Sequence, residues 1–235
     1  MALEDLSANS QDYLKMIWDL QEWEHSPVQP SALAKRAGVK LSTVSGAMNR
    51  LGAAGLVEHR PYGGVDLTVQ GRQYAVRMVR RHRLLETFLV KTLNYGWDEV
   101  HEEAENLEHA VSDTLVDRID ALLGHPDRDP HGDSIPTPTG DLPDRTDSIP
   151  LSQAPQDALV RVDRVSDEDS EMLRYLQSEQ IHVGSLLRVC PQAPYSDAVM
   201  VRLVDEAGEA SVSPDLALGP AAAERVRVCR IVARA

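Results

Sequence analysis

Cysteine is scarce in this 235-residue chain: Cys190 and Cys229 are the only two, and they form no C-x-x-C pair. In a protein of this length they supply no disulfide framework. Both stand in apolar, strand-like text, where buried reduced thiols are expected. Long apolar runs are missing too. No stretch approaches the ~20 apolar residues of a membrane-spanning helix, and the start MALEDLSANS has no charged-then-apolar secretion pattern. A soluble, cytoplasmic protein with no membrane partner is the expectation. A nucleophile elbow, a phosphate-cradling glycine loop and the His-x-x-Glu-His and His-Glu-x-x-His protease arrangements are likewise absent, as is any internal repeat. An enzyme is therefore not expected.

Basic residues are the minority charge, 24 Lys and Arg against 37 Asp and Glu, for a net charge of −13. That total would exclude nucleic acid only if charge were evenly spread. Residues 1–74 carry net −1, residues 75–150 net −8 and residues 151–235 net −4. Within residues 31–60, Lys35, Arg36, Lys40, Arg50 and Arg60 face only Glu58, a local +4. An acidic protein thus contains one basic stretch, and charge acts locally.

What is present falls into three blocks. Tyr13, Leu14, Ile17, Trp18 and Leu20 recur at helical spacing, then SALAKRA, a turn at Gly38, and STVSGAMNRLGAAG continue the helical pattern. Ser31 and Ser42 stand where N-caps belong and Gly55 where a C-cap belongs, giving helices of about 7 and 12 residues. LVEHRPYGGVDLTV alternates around Gly63 and Gly64 as a hairpin does. Thr68 to Asn94 and Asp98 to Leu123 read as two long helices able to form a dimer interface. Gly124 to Pro155 holds seven of the 14 prolines and reads as an extended linker. From Leu159 onward a small β-rich domain with one helix near Asp169–Gln177 is expected. The fold class is mainly α with small β parts, in segments 1–74, 75–145 and 146–235.

Helix, glycine turn, helix and hairpin is the outline of a winged helix-turn-helix, whose second helix enters the major groove of double-stranded DNA. Lys40, Ser42, Thr43, Ser45, Asn49 and Arg50 offer hydroxyls, an amide and cations around that helix, with Arg60 in the wing. Most would contact phosphates and some could read bases. The plainer alternative is a structural three-helix domain whose Ser and Thr only cap.

The acidic middle contains EVHEEAENLEH. At about 3.6 residues per turn, His101, Glu105, Glu108 and His109 form one stripe on one helix face. The preceding helix offers His82 and Glu86, four apart, and the proline-rich segment offers Asp129 and His131. Imidazole plus carboxylate without thiolate suits Mn(II) or Fe(II), and Zn(II) less clearly. A solvated acidic face is the alternative, and Asp98, Glu102 and Glu103 fit it.

DYLKMIWDL, STVSGAMNRL, RRHRLLE, EVHEEAENLEH and PHGDSIP together resemble the diphtheria-toxin-repressor family of metal-dependent transcriptional repressors, over nearly the whole chain. The resemblance implies a homodimer on a palindromic operator, with a helical dimerisation domain and a C-terminal SH3-like (FeoA-like) small β-barrel. It implies a primary metal site of Asp12, Glu105, Glu108 and His109, and a second of His82, Glu86 and His101. Iron-responsive members have methionine and cysteine at the positions matching Asp12 and Glu105, so the chain is similar to the manganese-responsive branch. The small manganese regulators carry glutamate where Lys15 stands here and lack the C-terminal domain, which argues for separated sites over a two-ion cluster. Iron-type members use a Glu-x-x-Gln pair in the third domain. Counting back from IHVGS puts Asp169 and Met172 there and leaves Asp169 as a donor. A Mn(II)-activated repressor of metal uptake follows, with an Fe(II)-dependent repressor as the alternative. A di-metal enzyme and a repressor sensing an organic ligand are the rivals from other classes.

Overall fold

The computed structural model describes residues 3–24, 27–60, 63–143, 147–192, 194–205 and 215–231. The chain divides into two compact units, one of Met1–His82, Leu107–Val116 and Pro136–Asp141, the other of Arg83–Asn106, Asp117–Ile135 and Leu142–Ala235. No helix among the described residues is long and apolar enough to cross a membrane.

The first unit opens with α1 (Ala8–Glu24), α2 (Pro30–Arg36) and α3 (Leu41–Ala53), followed by β1 (Val57–His59), β2 (Val65–Leu67) and the start of α4 (Val69–Leu93). Tyr13, Leu14, Ile17 and Trp18 of α1 are all buried. Their spacing makes one apolar stripe, which is why this stretch is a helix with an inner face. On α3 the buried set is Val44, Ala47, Met48 and Leu51. Helix lengths of 7 and 13 residues match the expectation for α2 and α3, and Gly55 ends α3 at φ +72°, but the N-caps differ from the expectation. Gln29 and Lys40 hold the N-cap positions without a side-chain bond, Pro30 opens α2, and Ser31 and Ser42 lie inside the first turns. A proline suits a helix start because the N–H it lacks there has no partner in any case. Gly38, at φ +63°, makes the turn between the two helices.

The hairpin is antiparallel, with Glu58 opposite Asp66. Like charges across a ladder destabilise it, and Arg60 offsets this. Its Nη2 lies 2.9 Å from Glu58 and 2.8 Å from Asp66 Oδ2, with Nε at 3.1 Å from the same oxygen. The wing cation is thus bound across its own hairpin. The tip residues Pro61 and Tyr62 lie outside the described residues.

In the second unit, β3 (Ile149–Pro150), β4 (Leu159–Val165), β5 (Leu186–Val189), β6 (Val199–Val204), β7 (Leu216–Leu218) and β8 (Val226–Arg230) form one antiparallel sheet in the order β3-β8-β4-β5-β6-β7. Val160, Val162, Leu187, Val189, Val201 and Val228 point inward at strand period and pack with Leu173 and Leu176 of α7 (Ser170–Ser178). The short α8 (Pro220–Arg225) precedes β8. Cys190 and Cys229 are not joined in a disulfide, as expected, but are only partly buried.

Two expectations from the middle of the chain are corrected. The helical text from Asp98 to Leu123 is not one helix but α5 (Val100–Glu108) and α6 (Asp113–Leu122). Ser112 ends the run, because its Oγ caps α6 by accepting from Leu115 N at 3.3 Å. The proline-rich segment is not wholly an extended linker either, since Asp129, His131, Asp133 and Ile135 are buried.

Candidate metal centre

The turn Asp129-Pro130-His131-Gly132-Asp133 is built by its own side chains. Asp129 Oδ1 accepts from the backbone N–H groups of His131 (2.9 Å) and Asp133 (2.8 Å), so Oδ2 is left facing away from the turn. Gly132 adopts φ +90°, and a Cβ there would stand 2.1 Å from the backbone oxygen of Asp163. Asp163 sits in a bulge of β4 between Val162 and Arg164. Val165 N donates to His131 O at 2.9 Å, which docks the turn on the end of β4, two residues before Asp167. Gly132→Ala combines a forbidden contact with a strained φ. We expect it to cost on the order of 2–4 kcal/mol and to weaken metal binding, measured by thermal melting with and without Mn(II). An unchanged melting curve would refute this account of the turn.

Around this turn the second unit collects carboxylates and imidazoles. Glu86 on α4 and His131 are both 0% exposed. His131 Nδ1 lies 3.9 Å from Glu86 Oε2. Its Nε2 is 2.6 Å from the carbonyl of Trp97, whose indole stacks on the ring. A carbonyl only accepts, so Nε2 carries the hydrogen and Nδ1 is the ligand atom of the neutral ring. On the other side of Glu86, His101 Nδ1 is 3.2 Å from Glu86 Oε1 and 2.9 Å from Asp167 Oδ2. Ligand atoms of Glu86, Asp129 and His131 lie within 4.8 Å of one another, and so do those of Glu86, His101 and Asp167. Asp129 Oδ2 and His131 Nδ1 are buried with no hydrogen-bond partner among the described residues. Buried polar atoms without such a bond are costly, and a cation between them would supply what is missing. The donor set therefore fits a divalent ion.

The electrostatics agree. Burial works against charge on His101, but Asp167 and Glu86 outweigh it and push the pKa up to about 11. The same contest takes His131 to about 10. Burial, with the Glu86 charge adding to it, raises Asp129 to about 7. Burial also opposes charge on Asp167, yet His101 holds it well below the usual carboxylate range. Without metal, two imidazolium protons stand in for the cation.

The first unit holds a second group. His109, just past the end of α5, places Nε2 2.7 Å from Asp12 Oδ1 and 3.7 Å from Glu108 Oε1. Gln11 donates through Nε2 to the carbonyls of Leu3 (3.1 Å) and Leu6 (3.0 Å). That turns its Oε1 to His109 Nδ1 at 3.0 Å, so Nδ1 donates and Nε2 is the ligand atom. Glu108 is buried between Lys15 Nζ, 2.6 Å from Oε1, and His82 Nδ1, 2.6 Å from Oε2. Burial disfavours its charge, but His82 and Lys15 hold the pKa down at about 2. The ammonium already neutralises this carboxylate, so Asp12, Glu108 and His109 suit a single ion.

The expected sites are thus partly redistributed. Glu105 is half exposed, and its carboxylate lies 3.6 Å from His101 Nε2. Asp169, expected as the donor from the C-terminal domain, is engaged elsewhere: Oδ1 caps α7 at Met172 N (3.0 Å) and Oδ2 pairs with Arg225 (3.1 Å). Asp167 lies beside Glu86 and His101 instead, because the end of β4 and not the start of α7 meets the Asp129–Asp133 turn. A run of acidic residues at 167–169 was the only sequence signal for it. Nothing in the sequence marked Gln11 or Trp97.

Lys40, Ser42, Thr43, Ser45, Asn49 and Arg50 all lie on the exposed side of α3 or just before it. Ser45 Oγ also donates back to Leu41 O at 3.0 Å.

A winged helix-turn-helix and buried carboxylate–imidazole groups in one chain define a metal-binding, DNA-binding protein. The family description "Iron dependent repressor, N-terminal DNA binding domain" matches residues 5–65, "Iron dependent repressor, metal binding and dimerisation domain" residues 68–137, and "FeoA domain" residues 149–230. A solved structure described as a manganese-dependent transcriptional repressor in complex with manganese is 46% identical, with a TM-score of 0.86, over 94% of this chain and 100% of that one. The iron-dependent repressor IdeR of Mycobacterium leprae is 34% identical over 57% of this chain. The match spans 58% of that protein's length. The diphtheria toxin repressor of Corynebacterium glutamicum is 28% identical over 78% of this chain and 84% of its own length. The chain belongs to the diphtheria-toxin-repressor family of metal-dependent transcriptional repressors. These relatives are named as repressors, not as enzymes.

Proposed function

We propose that the chain is a Mn(II)-activated repressor that binds a palindromic operator as a homodimer and controls manganese homeostasis. The observation that carries this is the donor chemistry. Glu86, His101, Asp129, His131 and Asp167 on one side, and Asp12, Glu108 and His109 on the other, are all oxygen or imidazole donors, with no thiolate or thioether among them. Such a set suits the harder divalent ions. Fe(II) is the second reading, favoured by the iron-dependent repressors among the relatives.

In the first unit an ion held by Asp12 and by Glu108 and His109 would tie α1 to the end of α5. Such a tie rigidifies the helix on which the winged domain is built. An ion that binds this arrangement better than a looser one shifts the population toward it by the differential affinity alone. Asp12→Ala removes one end of the tie. We expect it to leave the fold intact and to abolish Mn(II)-dependent operator binding; metal dependence that survives the substitution would sink the mechanism. Calorimetry of the metal-free protein with Mn(II), Fe(II) and Zn(II), beside gel shifts on the same samples, separates the two metal readings. Lys40, Ser42, Thr43, Asn49 and Arg50 are the proposed DNA contacts, while Arg60 acts in shaping the wing.

A further inference from the structure

We propose that the cavity between the N-terminal half of α4 and the turn Thr137–Gly140 binds a small organic anion carrying two or more carboxylate or phosphate groups.

The cavity lies wholly within the first unit and has a volume of about 390 Å³. Small-molecule sites run from about 300 to 1,000 Å³. One wall is α4, where Arg72, Val76 and Arg80 stand at i, i+4 and i+8 and Val69, Gln73 and Arg77 form a second such row beside them. The other wall is built before any ligand arrives. Arg80, itself buried, donates through Nη1 to the carbonyl of Pro136 at 2.7 Å, and Thr137 Oγ1 accepts from Asp141 N at 3.0 Å. Gly140, at φ +89°, closes the turn against the helix, and a Cβ there would stand 3.5 Å from Val76 Cγ1.

Three guanidinium groups line this cavity and, among the described residues, no carboxylate does. The acids nearby are already engaged. Asp113 serves two cations, with Oδ2 2.7 Å from Arg77 Nη2 and Oδ1 2.6 Å from Arg81 Nη2, and Asp141 Oδ2 takes the Thr139 hydroxyl at 2.6 Å. The run RMVRRHR therefore leaves a cationic wall inside the segment of the chain with the largest acidic excess. Arg72 is exposed, and its Cζ lies 4.3 Å from the centroid of the Trp18 ring. Stacking uses the face of a guanidinium. The N–H edges of Arg72 have no hydrogen-bond partner among the described residues, and a guanidinium edge grips an oxyanion with two parallel bonds. Arg72 and Arg80 are about 12 Å apart along the helix, at ~1.5 Å per residue. A ligand with anionic groups at two ends matches that spacing better than one inorganic ion, and Val69, Val76 and Pro138 offer apolar contact to its carbon body.

The test titrates the full-length, metal-free chain with citrate and with fructose 1,6-bisphosphate in a calorimeter, with inorganic phosphate as the control. Metal is left out because both probes chelate it. No DNA is present either, so failure here leaves the repressor reading standing. One probe should bind at one site per chain, about tenfold or more tighter than inorganic phosphate, and the preferred probe tells carboxylate from phosphate ester. Arg72→Gln and Arg77→Gln should each weaken that binding by about tenfold or more, the worth of one hydrogen bond to a charged group. Lys91→Gln removes the same charge from an exposed position near the other end of α4 and should change affinity by less than about twofold. Melting curves without ligand check each variant's fold, and either arginine variant alone suffices for the comparison. Binding of neither probe, or an equal loss in Lys91→Gln, would overturn the proposal. So would inorganic phosphate binding as tightly as the better probe, which would mark an adventitious ion only.

Discussion

Replacing Glu86 with glutamine is expected to lower Mn(II) affinity by on the order of 100-fold or more and to abolish Mn(II)-dependent retardation of operator DNA. The magnitude follows from its position. Changes merely beside a metal ligand typically cost about 10–100-fold, and Glu86 offers one oxygen toward His101 and the other toward His131. It is the residue shared by both donor groups of the second unit. Glutamine keeps the shape and removes the charge, so the loss cannot be put down to a cavity. The metal-free fold should survive, because His131 can shed its proton once the carboxylate is gone and His101 keeps Asp167 as its partner. Titration calorimetry and gel shifts on one preparation are the measurements. An affinity within threefold of the unsubstituted protein would show that Glu86 only packs.

The second large effect is on protons. With His101 held at about 11 and His131 at about 10, both rings are protonated at neutral pH in the metal-free protein. An ion needs their lone pairs, and Asp129, raised to about 7, must be ionised as well, so filling both donor groups should release two to three protons at pH 7. Calorimetry in buffers of different ionisation heat measures that number directly, and a value well below one would overturn the assignment. Between pH 6 and 8 the overall affinity should rise by roughly three powers of ten per pH unit at first, falling to about two once Asp129 is ionised. The metal-free protein should respond in the opposite sense. Both pKa values are raised above the ordinary histidine value, so the folded chain holds protons that the unfolded chain has lost. The stability they contribute is fully present below about pH 6.5 and declines as pH rises through neutrality toward the folded values. Alkaline conditions should therefore destabilise the metal-free form and favour metal uptake together.

Much of the local structure was legible in the sequence because it depends on short-range pattern. Tyr13, Leu14, Ile17 and Trp18 mark the inner face of α1 by spacing alone, and the same holds for Val44, Ala47, Met48 and Leu51 on α3. Short Val/Leu/Arg segments separated by Gly, Pro and Asp marked the C-terminal sheet. Misreadings arose where a side chain overrode the pattern. Ser112 caps α6 and breaks what reads as one helix, and Asp129 folds a proline-rich stretch into a buried turn by taking two backbone N–H groups on one oxygen. Periodicity carries no information about either.

The scarcity of cysteine and the excess of acid, together with the helical text, determined by themselves what kind of donors the protein has: carboxylates and imidazoles, and a basic stretch apart from them. Which donors meet was decided by the tertiary structure. Asp167, and not Asp169, lies beside Glu86 and His101 because a bulge at Asp163 and the hydrogen bond from Val165 to His131 bring the end of β4, and not the start of α7, to the Asp129–Asp133 turn. Lys15 meets Glu108 across 93 residues of sequence. Ligand geometry depends on contacts between distant segments, whose distances are set by how helices and strands pack. Residue type is written along the chain, but proximity exists only once it has folded.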